Sequence, residues 1–162
     1  MIRAVCAFAA LLAAGCAQVE IRPDLRNLEF ELTGRLAANT RAESFTGNLN
    51  WRHADSADEL VISTPLGQGV ARILRQGDAV LLATADRREY RAADAETLTE
   101  QVLGFSLPLA GLADWVRGRP SPALEARGWK IEYQEHDAER RPILMRLTYP
   151  GIELRLAVSE WK

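Results

Sequence analysis

The feature that most constrains the fold is a strict alternation of apolar and more polar side chains in the last third of the chain. It runs through residues 129–134, 143–149 and 152–159. A period of two is typical of a half-buried β-strand, because successive side chains point to opposite faces. Pro150-Gly151 predicts a tight turn between the last two segments. This third of the chain is therefore predicted to form antiparallel strands.

Similar segments occur at short spacing through the first half of the chain. They predict strands at 30–38, 45–53, 59–64, 69–75, 79–84 and 88–91. Short polar or glycine-containing turns separate them, which favours hairpins over crossover connections. The sequence predicts a mainly β (α+β) fold with a single antiparallel sheet of about nine strands.

Two short helices are predicted where the alternation stops. Asp94 is a favourable N-cap for a helix over 94–103. A second helix over 109–117 ends before Gly118, and an irregular connection at 119–122 follows it. The apolar faces of the two helices contain Leu98, Val102, Leu112 and Trp115. Such faces must be covered, and the sheet is the available cover.

The first 29 residues are predicted to be a lipoprotein signal peptide followed by a tether. Ala4–Leu12 is an apolar run, too short for a bilayer span of ~20 residues. Leu12-Ala13-Ala14-Gly15-Cys16 follows it and is typical of a lipobox. We expect residues 1–15 to be removed, Cys16 to carry a lipid anchor, 16–29 to form a tether, and 30–162 to form one domain. The alternative is an ordinary signal peptide with an incidental cysteine.

The mature chain carries little that points to catalysis, metal binding or nucleic acid. Removal of residues 1–15 leaves 147 residues, no second cysteine, and 19 basic against 22 acidic side chains, a net charge of −3. This excludes redox and cysteine–metal chemistry and argues against nucleic acid as a partner. His53 and His136 are predicted to be surface residues, and the acidic residues to lie on outer faces and in turns. No catalytic residue, metal ligand or cofactor is nominated.

The turn at 63–69 contains one large apolar side chain, Leu66. Pro65 presets its own φ, and Gly67 tolerates positive φ, so a tight turn is expected. Local chemistry favours a Leu66 that folds back onto the sheet. The alternative is an exposed apolar side chain that contacts a membrane or a partner.

The sheet and the helices can either enclose an apolar cavity or pack into a filled core. The alternation does not separate these alternatives. The candidate cavity residues are Leu49, Trp51, Leu60, Ile62, Leu98, Val102, Leu112, Trp115, Ile131, Tyr133, Leu154 and Leu156.

Several short stretches resemble the LolB family of outer-membrane lipoprotein receptors. They are Leu32-Thr33-Gly34-Arg35-Leu36, Phe45-Thr46-Gly47-Asn48-Leu49-Asn50-Trp51, Ser63-Thr64-Pro65-Leu66-Gly67-Gln68, Tyr90-Arg91-Ala92-Ala93-Asp94-Ala95-Glu96, Leu112-Ala113-Asp114-Trp115-Val116-Arg117-Gly118 and Gly128-Trp129-Lys130-Ile131-Glu132-Tyr133. They occur in family order from about residue 30 to the end, and the lipobox adds to them.

The resemblance implies an incomplete β-barrel with the helices as a lid over a cavity for acyl chains. It implies a protein that takes lipoproteins from a LolA-like periplasmic carrier and inserts them into the outer membrane. It also implies that Pro65, Leu66 and Gly67 form a protruding loop that aids insertion, which reverses the local expectation for Leu66. Ala17 is not the aspartate that such sorting systems read as inner-membrane retention. We therefore expect a monomer anchored at the periplasmic face of the outer membrane, with no cofactor.

Two other functions stay open on sequence alone. A lipid-anchored scaffold lipoprotein would have a filled core. A lipid-anchored envelope enzyme would have paired carboxylates or a Ser–His pair in a cavity.

Overall fold

The computed structural model describes residues 21–41, 44–103 and 109–162. The predicted signal peptide, Cys16 and Ala17 lie outside the described residues. The division into signal peptide, tether and domain therefore remains a prediction.

The described chain forms one open antiparallel sheet of nine strands with three helices. The elements are β1 (Phe30–Thr40), β2 (Ser44–Ala54), β3 (Ala57–Ser63), β4 (Gly69–Gln76), β5 (Ala79–Thr84), β6 (Glu89–Ala92), α1 (Ala95–Leu103), α2 (Leu109–Val116), α3 (Pro122–Glu125), β7 (Lys130–His136), β8 (Pro142–Tyr149) and β9 (Ile152–Trp161). The strand order is β6-β5-β4-β3-β2-β1-β9-β8-β7, so the edge strands β6 and β7 are not paired with each other. This confirms the predicted nine-stranded sheet and the two helices, whereas the four-residue α3 was not predicted.

Two glycines in the family-like stretches lie where neighbouring strands approach closely. A Cβ on Gly47 of β2 would stand 2.4 Å from the carbonyl oxygen of Ser63, and a Cβ on Gly34 of β1 would stand 2.4 Å from that of Ala157. Real Cβ atoms essentially never approach backbone this closely, so a side chain would push the strands apart. Glycine at these positions therefore allows β2 to approach β3, and β1 to approach β9, closely in the middle of the sheet.

The helices are fixed on one face of the sheet by specific contacts. The predicted N-cap of α1 is confirmed, since Asp94 Oδ1 accepts a 2.7 Å hydrogen bond from the backbone N–H of Thr97. The hydroxyl of Tyr133 in β7 donates a 2.6 Å hydrogen bond to the backbone oxygen of Trp115 in α2. Leu98 and Leu109 are each only 1% exposed, which shows how closely both helices pack against the sheet.

The turns divide between the two ends of the sheet. The turns β1–β2, β3–β4, β5–β6 and β8–β9 lie at one end, here called the Leu66 end. The turns β2–β3, β4–β5 and β7–β8 lie at the other end. Residues 24–29 are held there too, because Asp24 N–H donates to Gln76 Oε1 at 2.7 Å and Glu29 N–H donates to the His53 carbonyl oxygen at 2.9 Å. This second end is called the N-terminal end.

Candidate functional site

An apolar cavity of about 450 Å³ lies between the sheet and the helices α1 and α2. Its lining comes from β1–β4 and β7–β9 of the sheet and from both helices. Among its described lining residues, Thr40 and Ser44 are the only ones with a hydroxyl, and none carries a carboxylate or an imidazole. The predicted cavity under the helices is therefore confirmed, and its walls are suited to hydrocarbon rather than to a charged ligand.

Most of the residues proposed from the sequence lie on the wall of this cavity. They are Leu49, Trp51, Leu60, Ile62, Val102, Leu112, Trp115, Ile131, Leu154 and Leu156. Alternation and helical spacing placed them on the inward faces of their elements. Their contact with acyl chains remains a prediction.

Leu98 and Tyr133 do not line the cavity, although the sequence proposed them with the others. Leu98 is 1% exposed, and its helix packs on β5 and β6, so its side chain fills the core beside the cavity. The hydroxyl of Tyr133 bonds to the backbone of α2 instead. Burial, and to a smaller extent the charge of Glu125, raise the pKa of Tyr133, so this hydroxyl stays a donor.

Part of the wall was not proposed from the sequence. These residues are Leu36, Ala38, Thr40, Ser44, Phe45, Val70, Ala71, Ile73, Leu109, Val116, Met145 and Leu147. Leu36, Ala38, Ala71, Ile73, Met145 and Leu147 occupy alternate positions on β1, β4 and β8, three strands from which the sequence proposed no cavity residue. The same alternation could therefore have identified them.

A buried charged cluster lies next to the cavity, on the same face of the sheet and towards the N-terminal end. Asp58 is 0% exposed, and its Oδ1 accepts 2.7 Å hydrogen bonds from Trp51 Nε1 and from His53 Nδ1. Its Oδ2 accepts a 2.5 Å bond from Arg75 Nε. An ionised carboxylate can only accept, so Nδ1 of His53 carries the proton of its bond.

Two sequence predictions are wrong at this cluster. His53 was expected at the surface but is 4% exposed and stacks on Phe30 at a ring separation of 4.9 Å. Asp58 was expected on an outer face or in a turn, yet it lies on the inner side of β3. Burial raises the pKa of Asp58, but the hydrogen bonds from His53 and Trp51 and the charge of Arg75 outweigh it and hold that pKa below its ordinary value.

The cavity extends to the Leu66 end of the sheet. Its lining includes Thr40, the last residue of β1, Ser44, the first residue of β2, and Val70, the second residue of β4. The β3–β4 turn beside them is closed by a 2.8 Å hydrogen bond from Thr64 N–H to the Gln68 carbonyl oxygen. Leu66 at its tip is 90% exposed, so the local expectation that it folds back is wrong.

No helix among the described residues combines the length and the apolar character that crossing a membrane requires.

Comparison with known proteins adds a family and a fold. The family described as "Outer membrane lipoprotein LolB" matches residues 28–161. A crystal structure of a LolA superfamily protein from Nitrosomonas europaea superposes with a TM-score of 0.53 and 14% identity, over 88% of each chain. At this identity the structural likeness concerns the fold alone.

Similar sequences carry the same family name. The outer-membrane lipoprotein LolB of Thiobacillus denitrificans is 38% identical over 146 residues, covering 81% of this chain and 78% of the relative. That of Nitrosomonas europaea is 38% identical, covering 89% and 77%. That of Chromobacterium violaceum is 35% identical over 94% of each chain. The chain described here therefore belongs to the LolB family of outer-membrane lipoproteins.

Proposed function

We propose that this protein accepts acylated lipoproteins from a LolA-like periplasmic carrier and inserts them into the outer membrane. The observation that carries the proposal is the apolar cavity, which reaches the end of the sheet where Leu66 is exposed. A hydrocarbon chain held in that cavity lies close to the turn that would touch the membrane. Acceptance and release then occur within one continuous region of the molecule.

The physical need for such a cavity follows from the cost of exposing acyl chains to water. Each CH₂ group that leaves an apolar environment costs ~0.8 kcal/mol, so free diffusion of a multiply acylated protein through water is prohibitive. A direct handover from one apolar cavity to another avoids that exposure. The relative affinities of carrier, acceptor and bilayer for the chains set the direction, so the transfer needs no cofactor.

The cavity favours acyl-chain binding over the two other functions. A scaffold lipoprotein with a filled core has no use for about 450 Å³ of apolar space. An envelope enzyme would need reactive groups in the cavity, whereas its described lining residues offer no carboxylate pair and no Ser–His pair. We infer that the protein carries lipid chains without changing them.

The remaining parts of the proposal concern the location of the protein. We infer that Cys16 carries the anchor and that the domain acts as a monomer at the periplasmic face of the outer membrane. Ala17 after this cysteine and the LolB-named relatives support outer-membrane residence.

The experiment is a transfer assay with matched variants on one strand. The purified protein is mixed with a carrier that holds an acylated lipoprotein, and the cargo bound to each protein is measured. Ile62 lines the cavity, whereas its neighbour Val61 does not, and both are half-buried. We expect Ile62→Glu to lower uptake at least tenfold, because a charge in the apolar wall is costly. Val61→Glu serves as the control for general effects on β3.

Two outcomes would count against the proposal. One is absence of transfer to the wild-type protein. The other is equal uptake by a well-folded Ile62→Glu variant and by Val61→Glu.

A further inference from the structure

The four turns at the Leu66 end lie side by side along the sheet. In strand order they are β5–β6, β3–β4, β1–β2 and β8–β9, so the Leu66 turn has a neighbour on each side. Neighbouring strands are about 4.8 Å apart, which puts adjacent hairpin tips roughly 10 Å apart. The β5–β6 turn is tied to the next hairpin by a 3.0 Å hydrogen bond from Ala85 N–H to the Val70 carbonyl oxygen.

An exposed arginine lies on either side of the Leu66 turn. Arg87 occupies the tip of the β5–β6 turn with φ 65°, held by a 2.9 Å hydrogen bond from its N–H to the Thr84 carbonyl oxygen. Arg41 follows β1, and its Nε lies 2.8 Å from the point where a Cβ on Gly151 would stand. Within the described ranges neither guanidinium has a carboxylate within 4.0 Å, whereas the adjacent Arg88 is paired with Asp86.

The turns at the N-terminal end carry the opposite charge. Asp55 and Asp78 lie in the β2–β3 and β4–β5 turns, and the β7–β8 turn contains Asp137 and Glu139 beside two arginines. At the Leu66 end the described turn residues contain three arginines and one aspartate, and Glu43 of the β1–β2 turn lies outside the described residues. With the charge of Glu43 included, the turns of the Leu66 end carry a net charge of +1 and those of the N-terminal end a net charge of −2, so the turn charges differ in sign between the two ends.

Two of the three large apolar side chains that are exposed in the described chain lie at the arginine-bearing end, whereas Leu28, 37% exposed, lies at the N-terminal end. Leu66 is 90% exposed, and Tyr149 beside the β8–β9 turn is 37% exposed while its ring stacks on Trp129 at 4.9 Å. Tyrosine at the border between an apolar layer and water is typical of membrane interfaces. One leucine flanked by a tyrosine and by two arginines that pair with no carboxylate of the described residues matches the layering of a phospholipid surface.

We propose that the Leu66 end docks on an anionic phospholipid surface, with Leu66 directed into the bilayer and Arg41 and Arg87 contacting lipid phosphates on either side of it. This rests on the proposed function, because it specifies the membrane component that the insertion site recognises. A guanidinium matches a phosphate group with paired hydrogen bonds. Each basic side chain near an anionic surface raises binding about fivefold, whereas the acidic turns at the N-terminal end would be repelled.

The test uses the mature acylated protein in vesicles, with a polarity-sensitive fluorophore beside Leu66. Gln68→Cys supplies the attachment point, since Cys16 is the only cysteine in the predicted mature chain. Vesicles of phosphatidylcholine are compared with vesicles that also contain phosphatidylglycerol. We expect the apolar shift of the fluorophore to be larger with phosphatidylglycerol. Arg87→Glu should lower the ratio of docked to undocked protein at least about fivefold there.

Arg140 provides a matched control at the opposite end of the sheet. It is also an exposed turn arginine with positive φ, 64°, and no carboxylate lies within 4.0 Å of it in the described chain. Arg140→Glu should leave the fluorophore response unchanged. Arg87→Gly and Arg140→Gly remove the same charges at positions whose φ suits glycine. They repeat the comparison if a glutamate variant folds poorly.

Three outcomes would overturn the docking surface. The first is an equal fluorophore shift on both vesicle types, and the second is an equal effect of the Arg87 and Arg140 variants on that shift. The third is an Arg87→Glu variant that loses cargo uptake from the carrier while its fluorophore shift on vesicles is unchanged. The last outcome would assign the arginines to the carrier. Cargo uptake measured in parallel separates the two proposals, because unchanged uptake by all variants keeps the proposed function even if docking fails.

Discussion

The indole N–H of Trp51, a residue of the cavity wall, donates a 2.7 Å hydrogen bond to Asp58, a carboxylate that has no solvent exposure. His53 and Arg75 bind the same carboxylate from the neighbouring strands β2 and β4. One buried charge therefore joins three strands beside the cavity. The hydrogen bond from Trp51 to Asp58 fixes the orientation of the Trp51 ring.

We expect Asp58→Asn to destabilise the fold by about 3–5 kcal/mol, because it leaves the buried Arg75 without its counter-charge. The amide also has one acceptor oxygen where the carboxylate has two, so it cannot satisfy all three donors. Chemical denaturation with linear extrapolation measures the loss. Asp78→Asn, at an exposed turn position, serves as the control. A loss below about 1 kcal/mol would show that the cluster contributes little to stability.

The same cluster predicts a loss of stability in acid. The folded-state pKa of Asp58 lies below its ordinary value of 3.8, although burial alone would raise it. A depressed carboxyl pKa contributes stability that is fully present above the ordinary value. That stability is lost as the pH falls below 3.8 towards the folded-state pKa. Free energies of unfolding measured from pH 6 down to pH 2 should fall more steeply for the wild type than for Asp58→Asn, and parallel curves would contradict this.

Much of the sheet could be predicted because alternation reports the two faces of a strand directly. Every observed strand starts and ends within two residues of its predicted segment, and the differences of two residues are at Thr40, Ala57, His136 and Trp161. The helix at Pro122–Glu125 was missed, because one turn is too short to show a 3.6-residue period.

The buried cluster was missed for a different reason. Charged residues in strands are usually exposed, so composition argued against burial. The alternation nevertheless indicated burial, because Asp58 is in phase with Leu60 and Ile62 on β3, and Arg75 is in phase with Ile73 on β4. Three titratable residues on the inner faces of three adjacent strands indicate a paired cluster. No local sequence pattern indicated that Leu66 is exposed. The family resemblance alone predicted it.

A third prediction concerns the length of the tether, because Asp24 and Leu66 lie at opposite ends of the sheet. The eight residues of β4 span about 25 Å between these ends. The eight peptide units from Cys16 to Asp24 reach at most about 26–29 Å. If Cys16 carries the anchor, this reach barely allows Leu66 to touch the same membrane. Deleting residues 18–20 should therefore abolish cargo insertion into the vesicle that holds the protein, while cargo uptake from the carrier persists.

Restoring the tether length is the control for that deletion. Gly-Ser-Gly in place of residues 18–20 should recover insertion, because we expect insertion to depend on the length of the tether and not on its side chains. Normal insertion by the deleted chain would show that Leu66 does not need to reach the anchoring membrane.

The last prediction separates the two steps of the proposed transfer at Leu66. Leu66→Glu should leave folding intact, because a side chain that is 90% exposed contributes little to the core. It should also leave cargo uptake intact, because Leu66 is not part of the cavity wall. Insertion into liposomes should fail, since a charge resists entry into the apolar layer. Burial of one leucine contributes only about 1.5–3 kcal/mol, so the loop perturbs the bilayer locally while the anchor holds the protein.

Gln68→Glu adds the same charge to the same turn and keeps the leucine, so it distinguishes loss of the apolar side chain from the mere presence of a carboxylate. We expect this variant to insert cargo faster than Leu66→Glu. Leu66→Met should insert cargo at nearly the wild-type rate, because it preserves an apolar tip of similar size. The two assays, uptake from the carrier and insertion into liposomes, are run on each purified variant. Normal insertion by Leu66→Glu would falsify the role of the loop, and equal failure of both glutamate variants would assign the effect to charge rather than to the lost leucine.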